Sequence, residues 1–238
     1  MKKRIKRDYY VSCIVAAGGK GERMGADINK IFLDISGVPV IARTLSVLNA
    51  CQYIDEIVIV TAECDLPGCN DIVREFHIDK VKTITVGGKT RQQSVRNGLS
   101  EVSENADIVM VHDAARPLVS PNHLAEVITS ANEHGAAALG VPEKNTLKYV
   151  DSDGFITQTI DRSHIYAIHT PQVFRKSLID KMYENAEQSE IMATDDCMLA
   201  EILEQKIKMI EDSYENIKIT TRDDLIIAEQ ILESRMEG

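Results

Sequence analysis

The sequence predicts an α/β protein with a doubly wound, mainly parallel sheet and an inserted β-hairpin. Short β-branched runs alternate with segments of helical spacing along most of the 238-residue chain, which is typical of repeated strand–helix–strand units. A glycine-rich loop follows the first run, and one hairpin pattern interrupts the alternation after residue 145. We expect a chain of this length to form one domain, residues 1–238, from which residues 145–162 protrude as an arm.

The apolar runs are predicted to be buried parallel strands, and they cover residues 11–16, 56–61, 81–86, 107–112 and 136–141. Before the last of them, Ser120 is a helix cap and Pro121 occupies the first helical position. The apolar face of that helix contains Leu124, Val127, Ile128 and Ala131. Because ligands of such sheets bind outside the carboxyl ends of the strands, we expect the functional residues just after strands.

The arm is predicted from residues 146–150 and 155–160, two strand-like runs joined through a turn at 151–154. A hairpin inserted in a doubly wound domain either pairs with a second subunit or forms a sheet edge, and we expect it to make a homodimer. The rest of the chain predicts helices at 176–187 and 195–205, a strand at 207–210 and an extended segment at 216–220.

The final helix is predicted from a cap and an apolar stripe. Thr221 and Asp224 resemble a capping box with Asp in place of Glu. The inward face should contain Leu225, Ala228 and Ile231 or Leu232.

Composition limits the class of ligand. The formal net charge is −10, from 27 Lys plus Arg and 37 Asp plus Glu. This argues against a nucleic-acid partner, whose binding rests on phosphate neutralisation, but not against a small anion held by a local cluster of cations. No apolar stretch reaches the roughly 18 residues of a membrane span. The basic residues 1–7 are expected to form a frayed, solvated terminus, and the spacing of the five cysteines predicts reduced thiols in a cytoplasmic protein.

The loop AAGGKGERMG at residues 16–25 follows the first strand. Its glycines let the backbone approach a ligand and present N–H groups to phosphate. A P-loop is excluded because Lys20 precedes glycine rather than Ser or Thr, and a dinucleotide fingerprint is disfavoured because Met24 holds the third glycine position. The pattern fits a nucleotidyltransferase loop in which Arg23 is followed by Lys30. A tight turn without a ligand is the alternative.

Nucleotidyl transfer explains why these residue types occur together. Negative charge develops around the α-phosphate as an anionic phosphate attacks it and pyrophosphate leaves. Cations and backbone donors fixed around the triphosphate stabilise that charge without a covalent enzyme intermediate. Arg offers a planar fork and Lys a point charge, while a divalent cation bridging phosphate oxygens completes the neutralisation.

Two further segments follow strands. VHDAARP at residues 111–117 contains Asp113, which could hold Mg²⁺ or a substrate hydroxyl, and Arg116, which could orient the loop. A structural ion pair between the two is the alternative. GGKTRQQSV at residues 87–95 opens a helix whose amino terminus offers N–H donors, with Ser94 placed to face a base or a phosphate. Here a simple capped helix is the alternative.

Later segments complete a pattern: TIDR at residues 159–162, TPQVF at 170–174, TDD at 194–196 and NIK at 216–218. The ordered set resembles the 2-C-methyl-D-erythritol 4-phosphate cytidylyltransferase family from about Val11 to the final helix. The resemblance implies a Rossmann-like nucleotidyltransferase fold. It also implies transfer of CMP from CTP to the 4-phosphate of methylerythritol in non-mevalonate isoprenoid biosynthesis, with Mg²⁺ and with release of pyrophosphate.

The resemblance also implies roles for individual residues. Arg23 and Lys30 would stabilise the pentavalent phosphate, and Arg162 and Lys218 would position methylerythritol phosphate. The nucleotide would be bound by Ala16, Ala17, Gly18, Gly19, Gly21, Gly88, Ser94 and Asp113. The acceptor would be bound by Asp113, Arg116, Thr146, Arg162, Thr170, Thr194 and Lys218. Thr146 and Arg162 would act across the dimer interface, and Asp113 would be the metal ligand, with Mg²⁺ held largely by the CTP phosphates.

Other functions remain open at this point. A ribitol 5-phosphate cytidylyltransferase is disfavoured because Ala-Ala separates Asp113 from Arg116, where relatives acting on ribitol phosphate tend to have Ser-Val. A dehydrogenase is disfavoured by Met24 and by the lack of a ribose-binding acid at the expected distance.

A catalytically silent nucleotide-binding protein is the third alternative. Such a protein has little reason to retain all four cations of the implied mechanism. Two positions depart from residues frequent in the family, Ile31 in place of Gln and Asn145 in place of Asp. These departures bear on substrate detail rather than on reaction type.

Overall fold

The computed structural model describes residues 7–19 and 29–237. The strands are β1 Val11–Ala16, β2 Asp34–Ile35, β3 Val38–Pro39, β4 Glu56–Thr61, β5 Val81–Val86, β6 Ile108–Asp113, β7 Ala136–Pro142, β8 Lys148–Val150, β9 Ile156–Thr159, β10 Tyr166–Arg175 and β11 Lys208–Glu211. The helices are α1 Val40–Ala50, α2 Leu66–Glu75, α3 Arg91–Ser100, α4 Pro121–His134, α5 Lys176–Gln188, α6 Asp196–Ile202 and α7 Arg222–Glu237. Short 3-10 turns lie at Lys30–Phe32 and Glu63–Asp65.

Within the described residues, seven strands form the main sheet in the order β11-β7-β10-β6-β1-β4-β5. Adjacent pairs are parallel except those that involve β10, which runs antiparallel to both β6 and β7. The carboxyl ends of β1, β4, β5 and β6 therefore meet at one edge of the sheet. The predicted doubly wound, mainly parallel sheet is confirmed.

Side chains of β1 show why helices cover both faces of the sheet. Cys13 and Val15 belong to a core cluster that includes residues of α1, α2 and α4, whereas Ile14 belongs to a cluster that includes residues of α3, α5 and α6. All three side chains are fully buried. A strand buried on both faces shows a continuous apolar run rather than an alternating one, as this sequence does.

The strand predictions are confirmed at β1, β4 and β5, while β6 begins and ends one residue later than expected and β7 extends to Pro142. The sequence reading did not predict β10 as a strand. Pro171 lies inside it and normally argues against a central strand, because proline cannot donate to the ladder. Here the pairing with β7 is irregular between Ile168 and Gln172, so the proline falls where the ladder is interrupted.

The hairpin of the arm is confirmed as β8 and β9, both shorter than predicted. Asp151 closes the turn, since its Oδ1 accepts hydrogen bonds from the backbone N–H groups of Asp153 at 3.1 Å and Phe155 at 2.9 Å. Gly154 has a φ of 89°, which glycine adopts without a steric cost. The described residues of both strands are exposed.

The carboxyl-terminal predictions hold with small shifts. Helix α6 ends at Ile202, three residues before the predicted end, and β11 is displaced by one residue. Residues 216–220 form neither a helix nor a strand. Asp224 Oδ2 accepts hydrogen bonds from the backbone N–H groups of Thr220 and Thr221, both at 2.7 Å, which confirms the Asp224 half of the predicted capping box. Ala228 is buried in the cluster against which Leu225, Ile231 and Leu232 pack.

One expectation about the amino terminus is wrong in part. Arg7 is not frayed: its Nη2 lies 2.5 Å from Asp55 Oδ2, and its Nη1 donates to the Tyr9 carbonyl at 2.7 Å. Residues 1–6 lie outside the described part.

All five cysteines are described and are free thiols. None of the helices in residues 7–19 and 29–237 has the length and apolar character needed to cross a membrane.

Candidate active site

A pocket of about 1110 Å³ opens at the carboxyl ends of β1, β4, β5 and β6. Its position is the one expected for ligands of parallel sheets. Several of the residues selected from the sequence line it, namely Ala16, Ala17, Gly18, Gly19, Lys30, Gly88, Ser94, Asp113 and Lys218. Lys20, Gly21 and Arg23 lie outside the described residues.

The glycine turn between β5 and α3 forms one wall of the pocket. Gly88 N–H donates to the Ser94 hydroxyl at 3.1 Å, and that hydroxyl donates to the Thr90 carbonyl at 2.9 Å. A Cβ on Gly88 would lie 2.2 Å from the Cβ of Gln93, so a side chain cannot be accommodated without movement. Thr90 caps α3 by accepting from Gln93 N–H at 3.1 Å. Ser94 therefore shapes the turn as well as lining the pocket.

Asp113 is the electrostatic centre of the pocket. Its Oδ2 lies 2.7 Å from Lys218 Nζ, its Oδ1 lies 3.4 Å from Arg91 Nε, and Arg116 Nε is 4.0 Å away. Burial by itself raises the pKa of the Asp113 carboxyl, but the charges of Lys218 and Arg91 outweigh it and hold that pKa well below its ordinary value of 3.8. Asp113 is thus an ionised carboxylate that gathers cations at the end of β6.

Arg91 has a second carboxylate partner that the sequence reading missed. Its Nη2 lies 2.8 Å from Oδ2 of Asp196, and the Tyr183 hydroxyl donates to Oδ1 of the same carboxylate at 2.5 Å. Asp196 is 1% exposed, so this pair lies in a medium of low polarity. Although burial lowers the pKa of Arg91, Asp196 and Asp113 raise it more. The guanidinium is permanently charged and fixed at the rim of the pocket.

Thr170 and Arg116 hold the loop around Asp113 rather than line the pocket. Thr170 Oγ1 accepts from the Asp113 backbone N–H at 3.0 Å and lies 3.1 Å from Nδ1 of His112. Burial lowers the pKa of His112 to about 4, so the ring is neutral at pH 7. The neutral ring accepts from the Thr170 hydroxyl and donates through Nε2 to the Arg116 carbonyl at 3.2 Å. Arg116 Nη1 donates to the Asn216 carbonyl at 2.6 Å.

This placement corrects two expectations. The Thr170 hydroxyl is buried and engaged on both sides, so the structure gives it a loop-bracing contact in place of the expected acceptor contact. Arg116 is likewise buried and does not line the pocket. The ion pair between Arg116 and Asp113, which was the alternative prediction, is present but long, with 4.0 Å between Nε and Oδ2.

Lys30 reaches the pocket from a 3-10 turn that Asn29 anchors. Asn29 Oδ1 accepts from the Ile31 N–H at 3.3 Å, and Asn29 Nδ2 donates to Asp65 Oδ2 at 2.7 Å and to the Ala17 carbonyl at 3.3 Å. The side chain thereby joins the ends of β1 and β4 to the turn that carries Lys30. The sequence analysis gave Asn29 no role of its own, although its place directly before Lys30 was a signal for a cap.

Comparison with known proteins agrees with this geometry. Residues 11–234 match the family model described as IspD: 2-C-methyl-D-erythritol 4-phosphate cytidylyltransferase. The chain belongs to this family.

Relatives support the assignment over nearly the whole chain. The enzyme of that name from Caldanaerobacter subterraneus subsp. tengcongensis is 41% identical over 223 residues, 93% of this chain and 98% of the relative. The one from Clostridium acetobutylicum is 44% identical over 220 residues, 92% of this chain and 96% of the relative.

A solved structure supports it as well. The crystal structure of 4-diphosphocytidyl-2C-methyl-D-erythritol synthase from Anaerococcus prevotii superposes with a TM-score of 0.84 at 32% identity. The match covers 94% of this chain and 96% of that one. This member of the family is accordingly a cytidylyltransferase of isoprenoid biosynthesis, which transfers CMP from CTP to 2-C-methyl-D-erythritol 4-phosphate. Among the functions left open by the sequence, the comparisons favour this one over ribitol phosphate transfer, a silent binding protein and a dehydrogenase.

Some of the sequence-selected residues of this cytidylyltransferase lie away from the pocket. Thr146 and Arg162 are exposed on the arm, where Arg162 Nη1 makes a long contact of 3.4 Å with the Glu143 carbonyl. Thr194 is exposed before α6, with its hydroxyl 3.9 Å from the sulfur of Met198. A single chain therefore does not bring these three residues to the pocket.

The described residues do not fit a magnesium site held by the protein. Both oxygens of Asp113 face cations, which disfavours binding of another cation there. Among residues 7–19 and 29–237, His, Cys, Asp and Glu side chains form no group of three that could hold a metal ion. Magnesium typically keeps several waters and binds through few carboxylates together with substrate phosphates. The expectation that Asp113 is itself the metal ligand is therefore not supported by its contacts.

Proposed function

We propose that the pocket at the carboxyl ends of β1, β4, β5 and β6 is where CTP and methylerythritol phosphate react. One observation carries this proposal: Lys30 and Lys218, from distant parts of the sequence, line the same pocket as Gly18, Gly19, Gly88 and Asp113. Two anionic substrates require concentrated positive charge, which the overall charge of −10 conceals.

In the proposed reaction, an oxygen of the methylerythritol 4-phosphate attacks the α-phosphorus of CTP. A new P–O bond forms as the bond to the β-phosphate breaks, and pyrophosphate leaves with the electron pair. Lys30, together with Arg23, stabilises the charge of the pentavalent phosphate, while Lys218 orients the attacking phosphate. Fixed charges act strongly because they need no rearrangement as the reaction proceeds.

The nucleotide is proposed to bind between the end of β1 and the glycine turn before α3. Ala16, Ala17, Gly18 and Gly19 extend from β1, and Gly88 faces them from the turn before α3. Backbone groups of these residues would read the edge of the pyrimidine, and the close approach of the main chain would exclude a purine. Gly21 would contribute to the same loop.

Magnesium belongs to the proposal as an ion carried by the CTP triphosphate, where it would neutralise phosphate charge. The contacts of Asp113 support placing the ion on the triphosphate and not on this carboxylate, since the carboxylate already faces Lys218 and Arg91.

We also propose that two copies associate through the arm, residues 145–162 of the single domain. Tyr149, Val150, Phe155 and Ile156 are each more than half exposed, with Phe155 at 71%. A cluster of exposed apolar side chains on a projecting hairpin marks an interaction surface. In the dimer, Thr146 and Arg162 would reach the partner's acceptor site. Sedimentation of the purified protein tests the oligomeric state, and a monomer at micromolar concentration would contradict it.

A cytoplasmic location is proposed on the ground that five free thiols are typical of a reducing compartment. Cell fractionation tests this location, and recovery of the protein outside the cytoplasmic fraction would contradict it.

The reaction itself is tested by following pyrophosphate release from CTP with methylerythritol phosphate and, separately, with ribitol phosphate. We expect release with methylerythritol phosphate that depends on added Mg²⁺. ATP in place of CTP serves as the control for base selection. Release with ribitol phosphate alone would contradict the acceptor, and no release with either would contradict the proposed pocket.

A further inference from the structure

The segment that carries Lys218, residues 212–220, is anchored on both sides of the lysine. Asp212 N–H donates to the Gly140 carbonyl and Ile219 N–H donates to the Ala115 carbonyl, both at 2.8 Å. The Lys218 side chain is 42% exposed while its Nζ lies 2.7 Å from Asp113, so the ammonium is both paired and open to the pocket. What fixes this segment therefore fixes the position of the ammonium.

The anchor at the start of the segment is the Asp212 carboxylate, which two histidines and an asparagine surround. Oδ1 lies 2.8 Å from His123 Nδ1, and Oδ2 lies 2.8 Å from His169 Nδ1. Oδ1 also accepts from the Ser213 N–H at 2.8 Å, and Oδ2 accepts from Asn216 Nδ2 at 2.6 Å. The side chain is fully buried, and every one of these groups acts as a donor toward it.

The charge of Asp212 is compatible with this burial because the donors compensate for the lost water. Burial raises the pKa of the Asp212 carboxyl, but hydrogen bonds from His169, Asn216, Ser213 and His123 lower it to a greater extent. An imidazole can donate from Nδ1 whether it is neutral or protonated. The arrangement therefore does not need a change of protonation to persist.

Asn216 connects the Asp212 cluster to residues beside the pocket. Its Nδ2 donates both to Asp212 and, at 3.1 Å, to the Thr170 carbonyl, while its own carbonyl accepts from Arg116 Nη1 at 2.6 Å. Asn216 is 1% exposed and stands two residues before Lys218. The side chain of Asn216 thus joins the Asp212 cluster to the strand β10, and its backbone carbonyl joins both to Arg116 in the loop after Asp113.

A metal site does not explain the cluster. The separations of 2.8 Å between the histidine nitrogens and the Asp212 oxygens are hydrogen-bond distances. Metal coordination directs the lone pairs of ligands at an ion about 2.0–2.2 Å away, whereas these Nδ1 atoms point at the carboxylate itself. The cluster is built to hold Asp212, not an ion.

We propose that Asp212, held by His123 and His169, is a positioning residue that acts through Asn216 to place the Lys218 ammonium in the pocket. This inference rests on the proposed role of Lys218 in orienting methylerythritol phosphate. None of the four bracing side chains lines the pocket, so they influence the reaction only through the segment that they hold.

A double-mutant cycle on Asn216 and Lys218 tests the proposal. Asn216→Ala should lower kcat/KM for methylerythritol phosphate by about 10- to 100-fold, because a displacement of about 1 Å can cost that much, with the KM for CTP little changed. In the Lys218→Ala background the same change should have almost no further effect, since the group it positions is already gone. Asn105→Ala, an exposed asparagine, is the control. Additive losses in the double variant would overturn the proposal.

A second pair of variants tests the histidine end of the cluster and guards against misfolding at the buried Asn216. His123 is 25% exposed, so its replacement is tolerated more readily. His123→Ala removes the donor to Oδ1, whereas His123→Asn can place an amide nitrogen near the position of Nδ1. We expect a raised KM for methylerythritol phosphate in the first variant and recovery in the second. Equal KM values in both variants and the wild type would contradict the role of His123.

A measurement that needs no activity separates this inference from the proposed function. Acetic anhydride labelling followed by peptide mass spectrometry reports the acylation rate of each lysine. Lys218 should react slowly in the wild type and severalfold faster in Asn216→Ala, while the exposed Lys82 and Lys89 should not change. If Lys218→Ala left turnover normal but this acceleration occurred, the proposed role of Lys218 would fail and the brace would stand. An unchanged Lys218 rate would overturn the brace whatever the activity.

Discussion

The pocket and the arm hold their charged residues in opposite ways. At the pocket, Asp113 is 7% exposed and meets Lys218 at 2.7 Å and Arg91 at 3.4 Å. On the arm, Arg162 is exposed and its described contact is a carbonyl at 3.4 Å, beside apolar side chains such as Phe155 at 71% exposure. The pocket is thus organised within one chain, whereas the arm is the exposed surface through which we propose that a second chain associates. We therefore expect the pocket residues to depend on the folding of one chain alone, and the arm residues to depend on association of two chains.

The largest expected effect concerns the half within one chain. Lys30→Ala should reduce turnover by about 10²–10³-fold, the cost of losing one donor to transition-state charge. The fold should survive because the side chain lines the pocket rather than the core. Pyrophosphate release gives the rate and circular dichroism gives the fold, with Lys82→Ala, an exposed lysine outside the pocket lining, as the control. Turnover near that of the wild type would remove Lys30 from the mechanism.

The next prediction examines whether the arm serves the other subunit. Lys30→Ala and Arg162→Ala variants should each be nearly inactive, but co-refolded mixtures should regain roughly a quarter of the wild-type rate. About half of the dimers are then mixed, and each mixed dimer has one complete site out of two if arms are exchanged across a two-fold axis.

The control for complementation is a mixture of Lys30→Ala with Lys218→Ala. Both changes lie in the body of the chain, so no mixed dimer contains a complete site. No recovery in the Lys30 and Arg162 mixture would show that Arg162 serves its own chain.

The third prediction uses pH to measure how strongly the pocket holds Asp113. The pKa of Asp113 is lowered by folding, so its stabilising contribution is present above the unfolded value near 3.8 and is lost as pH falls below it. The difference in unfolding free energy between wild type and Asp113→Asn should be constant from about pH 7 to 5 and shrink below about pH 4. Urea unfolding at several pH values measures it. A difference that persists unchanged to about pH 3 would contradict the lowered pKa.

The smallest effects are expected from a matched pair of threonines. Thr170→Val should cost about 1–3 kcal/mol of stability, because the buried Asp113 N–H loses its acceptor. Thr146→Val on the exposed arm should stay within about 0.5 kcal/mol. The order of the effects on activity should be reversed, with the larger loss in Thr146→Val, if Thr146 contacts the acceptor in a dimer. Thermal unfolding and kcat/KM together provide the comparison, and equal stability losses would mean that the Thr170 contacts are weaker than the structure indicates.

Much of the sheet was predictable from local pattern. β1, β4 and β5 occur where apolar β-branched runs predicted them, because strands buried on both faces require such runs. β10 was not predictable in this way, since Pro171 violates the local rule and the tolerance comes from the irregular pairing with β7. The site was predicted in part for a related reason: motifs that follow parallel strands must converge at one edge.

Contacts between distant residues escaped the sequence reading. Arg91 and Asp196 both lie in segments that the sequence singled out, yet their pairing joins residues separated by more than a hundred positions. His123, His169 and Asp212 carried no motif at all. Nothing local distinguishes a histidine that braces a carboxylate from one that is solvated.

The sequence by itself determined the parallel strands of the main sheet, the family and the residue types gathered for phosphate chemistry. Only the tertiary structure decided that Lys218, Arg91 and Arg116 share Asp113, that Thr170 belongs to the loop behind it, and that Asp212 braces the segment before Lys218. The physical reason is that backbone pattern follows local spacing along the chain. Ion pairs and buried hydrogen bonds depend instead on separation in space and on the polarity of the surroundings, which folding sets.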